Sequence, residues 1–271
     1  MKPRRPRSPD RPRPPERQGP PRPPAASTSD EITFGLRAGI AVITKRPGDV
    51  LRVAFAPAVQ GELGDVLRGS PAQRVASSAS DAELARSSGS THHEGLVVVA
   101  RPRRWVPAAE LTERLVRAKG AAVALDRVRN PYNVGAILRT AAFFGIDAGL
   151  LGAIAPHPAL ASDAIRVAEG GAEHLALSRT TDLAATLERL RGAGVQVVGA
   201  DGAARTGALG FAFRRPAILV MGHEREGLSP RVRAQCDAIV AIPGSGAIES
   251  LNVAVAAGLL LGELVRDRFV Q

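Results

Sequence analysis

The chain has 271 residues, of which 45% are hydrophobic, 23% charged and 3% aromatic, enough apolar material for one large domain or two modest ones and too much for a wholly disordered chain. A single cysteine, Cys236, excludes an internal disulfide and a cysteine-cluster metal site, and points to a reducing, cytoplasmic setting. The formal charge is +10, and residues 1–29 hold +6 of it, from Lys2 and seven arginines against Asp10 and Glu16.

That first stretch also contains ten prolines, a composition that buries too little apolar surface to offset ordering, so residues 1–30 are expected to be a disordered basic arm. Two uses stay open for it, a solubilising tail or an arm that grips a polyanion, and arginine favours nucleic acid. Met1 to Arg7 has no apolar run behind it and does not read as a secretory signal. The longest apolar run, Leu251 to Val265, is interrupted by Glu263 and is short of the ~20 residues a bilayer requires, so no membrane partner is expected.

Order is expected from Ile32. Residues 31–101 read as a small α/β module: a helix over Phe34 to Ile43, a strand over Val50 to Phe55, a helix over Val59 to Leu67, a weakly helical Ser/Ala-rich stretch over Ser77 to Ser90, and a buried strand from Gly95 to Ala100. Residues 102–119 read as a linker with one amphipathic helix after Pro107. From Gly120 to the end, βα alternation sets in. Strands are expected at Ala121–Leu125, Gly149–Gly152, Val195–Gly199, Ala217–Met221 and Ala238–Ile242. Helices are expected at Val134–Phe144, Ala161–Glu169, Asp182–Arg191 and Ser250–Arg266. Short apolar strands separated by helices of about ten residues predict a mostly parallel sheet covered on both faces. Ligands of such sheets collect beyond the carboxyl ends of the strands.

Three strand exits concentrate glycine and polar residues. The first, Leu125 to Arg139, contains Asn133-Val-Gly-Ala-Ile-Leu-Arg139, where Asn133 is placed to cap a helix, Gly135 permits close approach of another backbone and Arg139 falls nearly two turns in. The second, Val220 to Ser229, brackets four polar residues between Gly222 and Gly227 and exposes main-chain groups. The third runs from Ile242 through Pro-Gly-Ser-Gly246 to Asn252. Ser250 is placed to cap the last helix, and a first-turn Asn252 costs stability relative to alanine unless it bonds a ligand or another loop. An ordinary cap, a solvated arginine and a surface turn account for each loop taken singly. No G-x-x-x-x-G-K-[ST] and no G-x-G-x-x-G after Leu125 support a P-loop or a Rossmann site. The histidines at 92, 93, 157, 174 and 223 lack zinc spacing, and no Ser/His/Asp set stands out.

Taken in order, these loops resemble the SpoU (TrmH) family of RNA ribose 2′-O-methyltransferases, of the SPOUT superfamily: Asn133 to Arg139, then Leu219-Val-Met-Gly222-His-Glu224-Arg-Glu-Gly227, then Ile242-Pro-Gly-Ser-Gly246 with Ser250-Leu-Asn252. Phe34 to Val99, closing on His93-Glu-Gly95, resembles the small L30e-like substrate-binding domain that precedes the catalytic domain in many members. Tyr132 stands where a histidine is common, Gly244 where a methionine is common, and Glu249 where a small residue is usual.

The resemblance implies a C-terminal trefoil knot, S-adenosylmethionine as cofactor without a metal, homodimerisation through the knot region, and tRNA or rRNA as substrate. It implies that Gly222, Ile242 and Leu251 meet the cofactor and that Asn133, Arg139, Glu224, Ser250 and Asn252 form the catalytic set. Arg139 is then expected as a fixed guanidinium on the ribose 2′-oxygen and a neighbouring phosphate. Asn133 would orient the ribose or Arg139, Ser250 and Asn252 would brace the loops, and Glu224 would hold the second loop, anchor Arg139 or serve as the base. An RNA-binding paralogue without catalysis and a methyltransferase for small molecules or protein are the competing readings.

Overall fold

A computed structural model describes residues 30–152 and 160–269; the basic arm over 1–29 lies outside the described residues. In the first module, Val50–Phe55 (β2) and Leu96–Ala100 (β4) pair antiparallel, Glu31–Phe34 (β1) pairs antiparallel with β4, and Ala76–Ser78 (β3) pairs parallel with β2, giving the order β1-β4-β2-β3. Helices Leu36–Lys45 (α1), Gln60–Leu67 (α2) and Asp81–Ser88 (α3) accompany this sheet, with Val42, Ile43, Leu63, Val53 and Val98 in its main core. The helix expected from Phe34 begins at Leu36 instead. Gly35, at φ 100, ends β1 and donates its N–H toward the carbonyls of His93 and Leu96. Ser77 to Ser90 divides into the end of β3 and α3, and α3 is started by a reciprocal Ser80–Glu83 capping box.

The second sheet has seven strands, all parallel: Ala121–Asp126 (β5), Ala148–Gly152 (β6), Ala176–Thr180 (β7), Gln196–Ala200 (β8), Thr206–Gly207 (β9), Ala217–Met221 (β10) and Ala238–Ala241 (β11). Their order is β7-β6-β5-β10-β8-β11-β9. The central strands are buried along their whole length, and alternate residues serve opposite cores. Val123, Leu125, Leu219 and Met221 face one core; Ala122, Ala124, Ile218 and Val220 face the other. Pro131–Phe143 (α5) and Val253–Leu264 (α10) pack in the first core, Ala108–Ala118 (α4) and Leu183–Gly192 (α8) in the second. The parallel sheet covered by helices on both faces is therefore as expected. β7 and the short helix Gly171–His174 (α7) were not expected, and α10 starts at Val253, three residues later than read from the sequence.

Residues 102–119, expected as a linker, are packed. Leu111 and Leu115 of α4 are buried, Val106 N–H donates to Leu177 O at 2.8 Å, and the Arg179 guanidinium lies 4.9 Å from the Trp105 ring centre. Arg103 enters a four-charge cluster with Arg46, Glu31 and Glu173, whose side chains are 4–15% exposed. Arg103 reaches Glu31 at 2.6 Å and Glu173 at 3.0 Å, while Arg46 reaches both carboxylates at 2.8 Å. Glu31 opens β1, Arg46 follows α1 and Glu173 sits on α7, so the cluster ties the small module to the large one.

Burial would raise the Glu31 carboxyl, but Arg103 and Arg46 outweigh it and hold it below the usual carboxylate range. A depressed carboxyl contributes stability that is present above its unfolded value of about 4.3 and is lost as the pH falls through the folded value. Glu31→Gln, which leaves two guanidinium groups short of a partner, should lower unfolding stability at pH 7 by about 3 kcal/mol. In urea titrations the gap to the unsubstituted protein should narrow as the pH falls below about 4, and a gap constant from pH 7 to 3 would contradict it.

Candidate active site

β5 and β10 are neighbours in register, Leu125 opposite Met221, so their loops leave the sheet side by side, and β11 delivers the third loop two places along. The first two loops are fastened at their roots. Asp126, 3% exposed, accepts the Ser229 N–H at 2.6 Å. Arg127, at φ 62, donates to Gly227 O at 3.1 Å and pairs with Glu226. The second loop is a tight turn: His223 and Gly227 exchange main-chain hydrogen bonds of 3.0 and 2.9 Å, and His223 Nδ1 accepts the N–H groups of Arg225 and Glu226. Gly222 is where this turn presses on itself, because a Cβ there would lie 2.3 Å from the Gly227 carbonyl carbon.

Three of the expected site residues meet in one hydrogen-bonded chain. Asn252 Oδ1 accepts the Ala254 and Val255 N–H groups at 2.8 and 3.4 Å, Asn252 Nδ2 donates to Asn133 Oδ1 at 3.1 Å, and Asn133 Nδ2 donates to Glu224 Oε1 at 2.9 Å. The caps differ from expectation. Asn130 caps α5 through the Tyr132 N–H at 2.9 Å, leaving Asn133 free to link loops, and Asn252 rather than Ser250 caps α10. The suspicion that Asn252 bonds another loop is met by Asn133. Gly135 admits the Ala164 carbonyl of Ser162–Val167 (α6), which a Cβ would meet at 2.5 Å, in line with the close approach read from the sequence.

Arg139 stands apart from this chain. Its Nη1 lies 2.8 Å from Glu169 Oε1, a residue the sequence reading did not single out, and Glu224 is engaged by Asn133 rather than anchoring Arg139. Ser250 and Leu251 are exposed at the end of the third loop. Among the described residues the main chain from Ile242 to Leu251 makes one hydrogen bond, from Ala247 N–H to Ser245 Oγ at 3.3 Å. The main-chain donors and acceptors of this loop, and the apolar side chains of Ile248 and Leu251, are open to solvent. Burial, reinforced by Asp237, pushes the Cys236 thiol up to about 11, so it is protonated and a poor nucleophile. Among the described residues no three His, Cys, Asp or Glu side chains cluster to hold a metal, and no helix is long and apolar enough to cross a membrane.

A parallel α/β sheet with three polar loops gathered at one carboxyl end defines a ligand-binding fold of the open-sheet type. The chain belongs to the SpoU rRNA Methylase family, whose model matches residues 120–262. It is 39% identical over 191 residues to an uncharacterized tRNA/rRNA methyltransferase of Mycolicibacterium smegmatis, covering 69% of this chain and 60% of that relative. Identity to the uncharacterized tRNA/rRNA methyltransferase YfiF of Escherichia coli O157:H7 is 34% over 239 residues, 86% of this chain and 67% of the relative. The chain thus spans about 60% of the length of the mycobacterial relatives it matches. Among solved structures, the SpoU methyltransferase AviRb from Streptomyces viridochromogenes, in complex with the cofactor AdoMet, superposes with a TM-score of 0.71 at 25% identity, over 89% of this chain and 91% of that one. An AdoMet-bound rRNA methyltransferase from Sinorhizobium meliloti shares the fold, with a TM-score of 0.71 at 22% identity over 90% and 89%.

The two functions of Asn252 can be separated. Asn252→Ala loses the cap and should cost about 1 kcal/mol of unfolding stability. Asn252→Asp keeps an acceptor for the α10 N–H groups yet has no donor for Asn133, so its stability loss should be smaller while the third loop is released. Lower backbone order parameters over 244–251 in the Asp variant are the expected readout; order unchanged from the unsubstituted protein would mean that the Asn133 bond does not hold the loop.

Proposed function

We propose that the protein transfers a methyl group from S-adenosylmethionine to a ribose 2′-hydroxyl of tRNA or rRNA. The observation that carries the reading is the hydrogen-bonded chain Asn252–Asn133–Glu224, which draws three family-motif loops together at one end of the sheet. Gly222, Ile242 and Leu251 would hold the cofactor, chiefly through main-chain groups, as the exposed backbone of the third loop allows. When bound, the cofactor supplies an activated methyl on a positively charged sulfur.

The protein's task is then to align a weak nucleophile and manage one proton. As the bond from sulfur to the methyl carbon breaks and the bond from carbon to the ribose oxygen forms, the 2′-hydroxyl proton leaves to a phosphate or water. The Arg139 guanidinium would stabilise the developing oxyanion and orient the ribose. Asn133 and Asn252 would brace the loops, Glu224 would fix the second loop through Asn133, and Ser250 would brace the third.

The small module would serve as an L30e-like RNA-binding domain. The C-terminal segment would form the trefoil knot the resemblance implies. The connection 208–216 touches this segment, with Gly210 N–H donating to Glu263 of α10 at 3.3 Å and Arg215 paired with Asp267 beyond it at 2.5 Å. A homodimer is favoured by α10, which buries Ala257, Leu260, Leu261 and Leu264 yet leaves Val255 and Leu259 exposed, beside an 81% exposed Phe143 on α5.

Arg139→Ala should abolish methyl transfer to bulk RNA while calorimetry shows S-adenosylmethionine affinity within a few-fold of the unsubstituted protein. Arg139→Lys should also be poor, because a point charge does not reproduce a planar fork. Near-normal turnover in Arg139→Ala would remove this residue from the reaction, and absence of labelled RNA with the unsubstituted protein would sink the reading itself. Removing residues 1–29 should lower the slope of log K against log salt by about 3 if roughly half of the eight basic residues meet phosphates, with target and non-target RNA affected alike. An unchanged slope would reduce the arm to a solubilising tail.

A further inference from the structure

Glu169 receives arginines from two directions. Arg139 of α5 bonds Oε1 at 2.8 Å, and Arg37 of α1, on the small module, lies 3.9 Å from Oε2. All three side chains are open to solvent, at 57%, 77% and 37% exposure for Arg139, Arg37 and Glu169. Glu169 holds a left-handed backbone, φ 45, which costs a non-glycine residue and places its carboxylate at the seam. Next to it, Gly170 lets α1 approach: a Cβ there would lie 2.6 Å from Ala41 Cβ. The Arg46–Glu31–Arg103–Glu173 cluster fixes the same seam from behind, so Arg37 and Arg139 face one point on a rigid frame.

Two guanidinium groups from separate modules converging on a single carboxylate describe an anion position. A backbone phosphodiester presents two charged non-bridging oxygens, as the Glu169 carboxylate does, and arginine pairs with either through the same planar fork. Exposed ion pairs are weak, so an arriving phosphate can displace the carboxylate. We propose that Arg37 and Arg139 share an RNA backbone phosphate next to the target ribose, and that Glu169 occupies that position when RNA is absent. The proposal rests on the RNA methyltransferase reading and adds to it a second arginine, contributed by the small module.

The test uses the full chain, bulk tRNA and bulk rRNA in parallel as binding probes, a salt series, and methyl transfer to the same two RNAs. Arg37→Ala should flatten the slope of log K against log salt by part of the about 0.7–0.9 that one whole phosphate contact contributes, because Arg139 stays on the same phosphate. It should raise the KM for RNA several-fold with a smaller change in kcat, and Arg37→Lys should recover most of the slope. Glu169→Gln removes the competing charge and should tighten RNA binding at low salt, while Arg37→Ala keeps its effect in that background. If Glu169 were only a strut between the modules, both variants would lower thermal stability and leave the slope and KM alone; that result overturns the proposal. Methyl transfer by the unsubstituted protein with an Arg37-independent slope would overturn the phosphate site and keep the enzyme. An Arg37-dependent slope without any methyl transfer would keep the site and remove the enzyme.

Discussion

The amide of Asn133 is the constraint on which the candidate site depends. Its oxygen accepts from Asn252 and its nitrogen donates to Glu224, partners 119 and 91 residues away in the chain. The direction of these bonds is forced. The α10 N–H groups require the Asn252 oxygen, so the Asn252 nitrogen must face Asn133; a carboxylate only accepts, so the Asn133 nitrogen must face Glu224. Turning either amide over would set oxygen against oxygen at one of its ends and N–H against N–H at the other. A network of this kind has one arrangement, and bonds to a charged group are its strongest members, at about 1.5–3 kcal/mol each.

That arrangement is available only because the sheet behind it is rigid. β5 and β10 run in register and are buried along their whole length, so the points at which their loops depart are fixed before any loop contact forms. Asp126, Arg127 and the turn closed by His223 and Gly227 then hold the first two loops at their bases. The third loop has no such root. It is exposed from Pro243 to Asn252 and, among the described residues, is tied at its far end, through Asn252. Local stability is therefore graded across the site, and the least secured part is the one proposed to receive the cofactor.

Much of this was legible in the sequence, for physical reasons that also mark where legibility stops. Buried parallel strands announce themselves as apolar runs, which is why Ala217–Met221 and Ala121–Leu125 were read within a residue of their ends. β1 and β7 escaped because Glu31 to Phe34 and Ala176 to Thr180 are short and carry polar residues, and only their partners make them strands. Caps were read one position class too broadly: Asn133 and Ser250 are good capping types, but the neighbouring Asn130 and Asn252 hold the N-terminal N–H groups. Charge partners were invisible altogether. Nothing in local spacing joins Arg46 to Glu173 or Arg127 to Glu226, pairs 127 and 99 residues apart, and Glu169 looked like the end of a helix rather than the partner of Arg139.

The helix α5 explains why the site residues fall into two groups. Asn133 and Arg139 are six residues apart, about 600° of turn and so roughly 120° apart around the axis, with the arginine close to two turns further along. Asn133 accordingly looks toward the loops after β10 and β11, and Arg139 looks toward α6, α7 and the small module. A single rigid element thus holds one group on the side proposed for the cofactor and the other on the side proposed for RNA. The spacing between nucleophile and methyl donor would then be set by the length of a helix rather than by the closure of a loop, which suits a reaction whose main demand is in-line alignment. It also means that the two groups share no partner. Disturbance of the loop chain at Asn252 and disturbance of the arginine pair at Glu169 should reach the reaction by separate routes, so their energetic effects are expected to add.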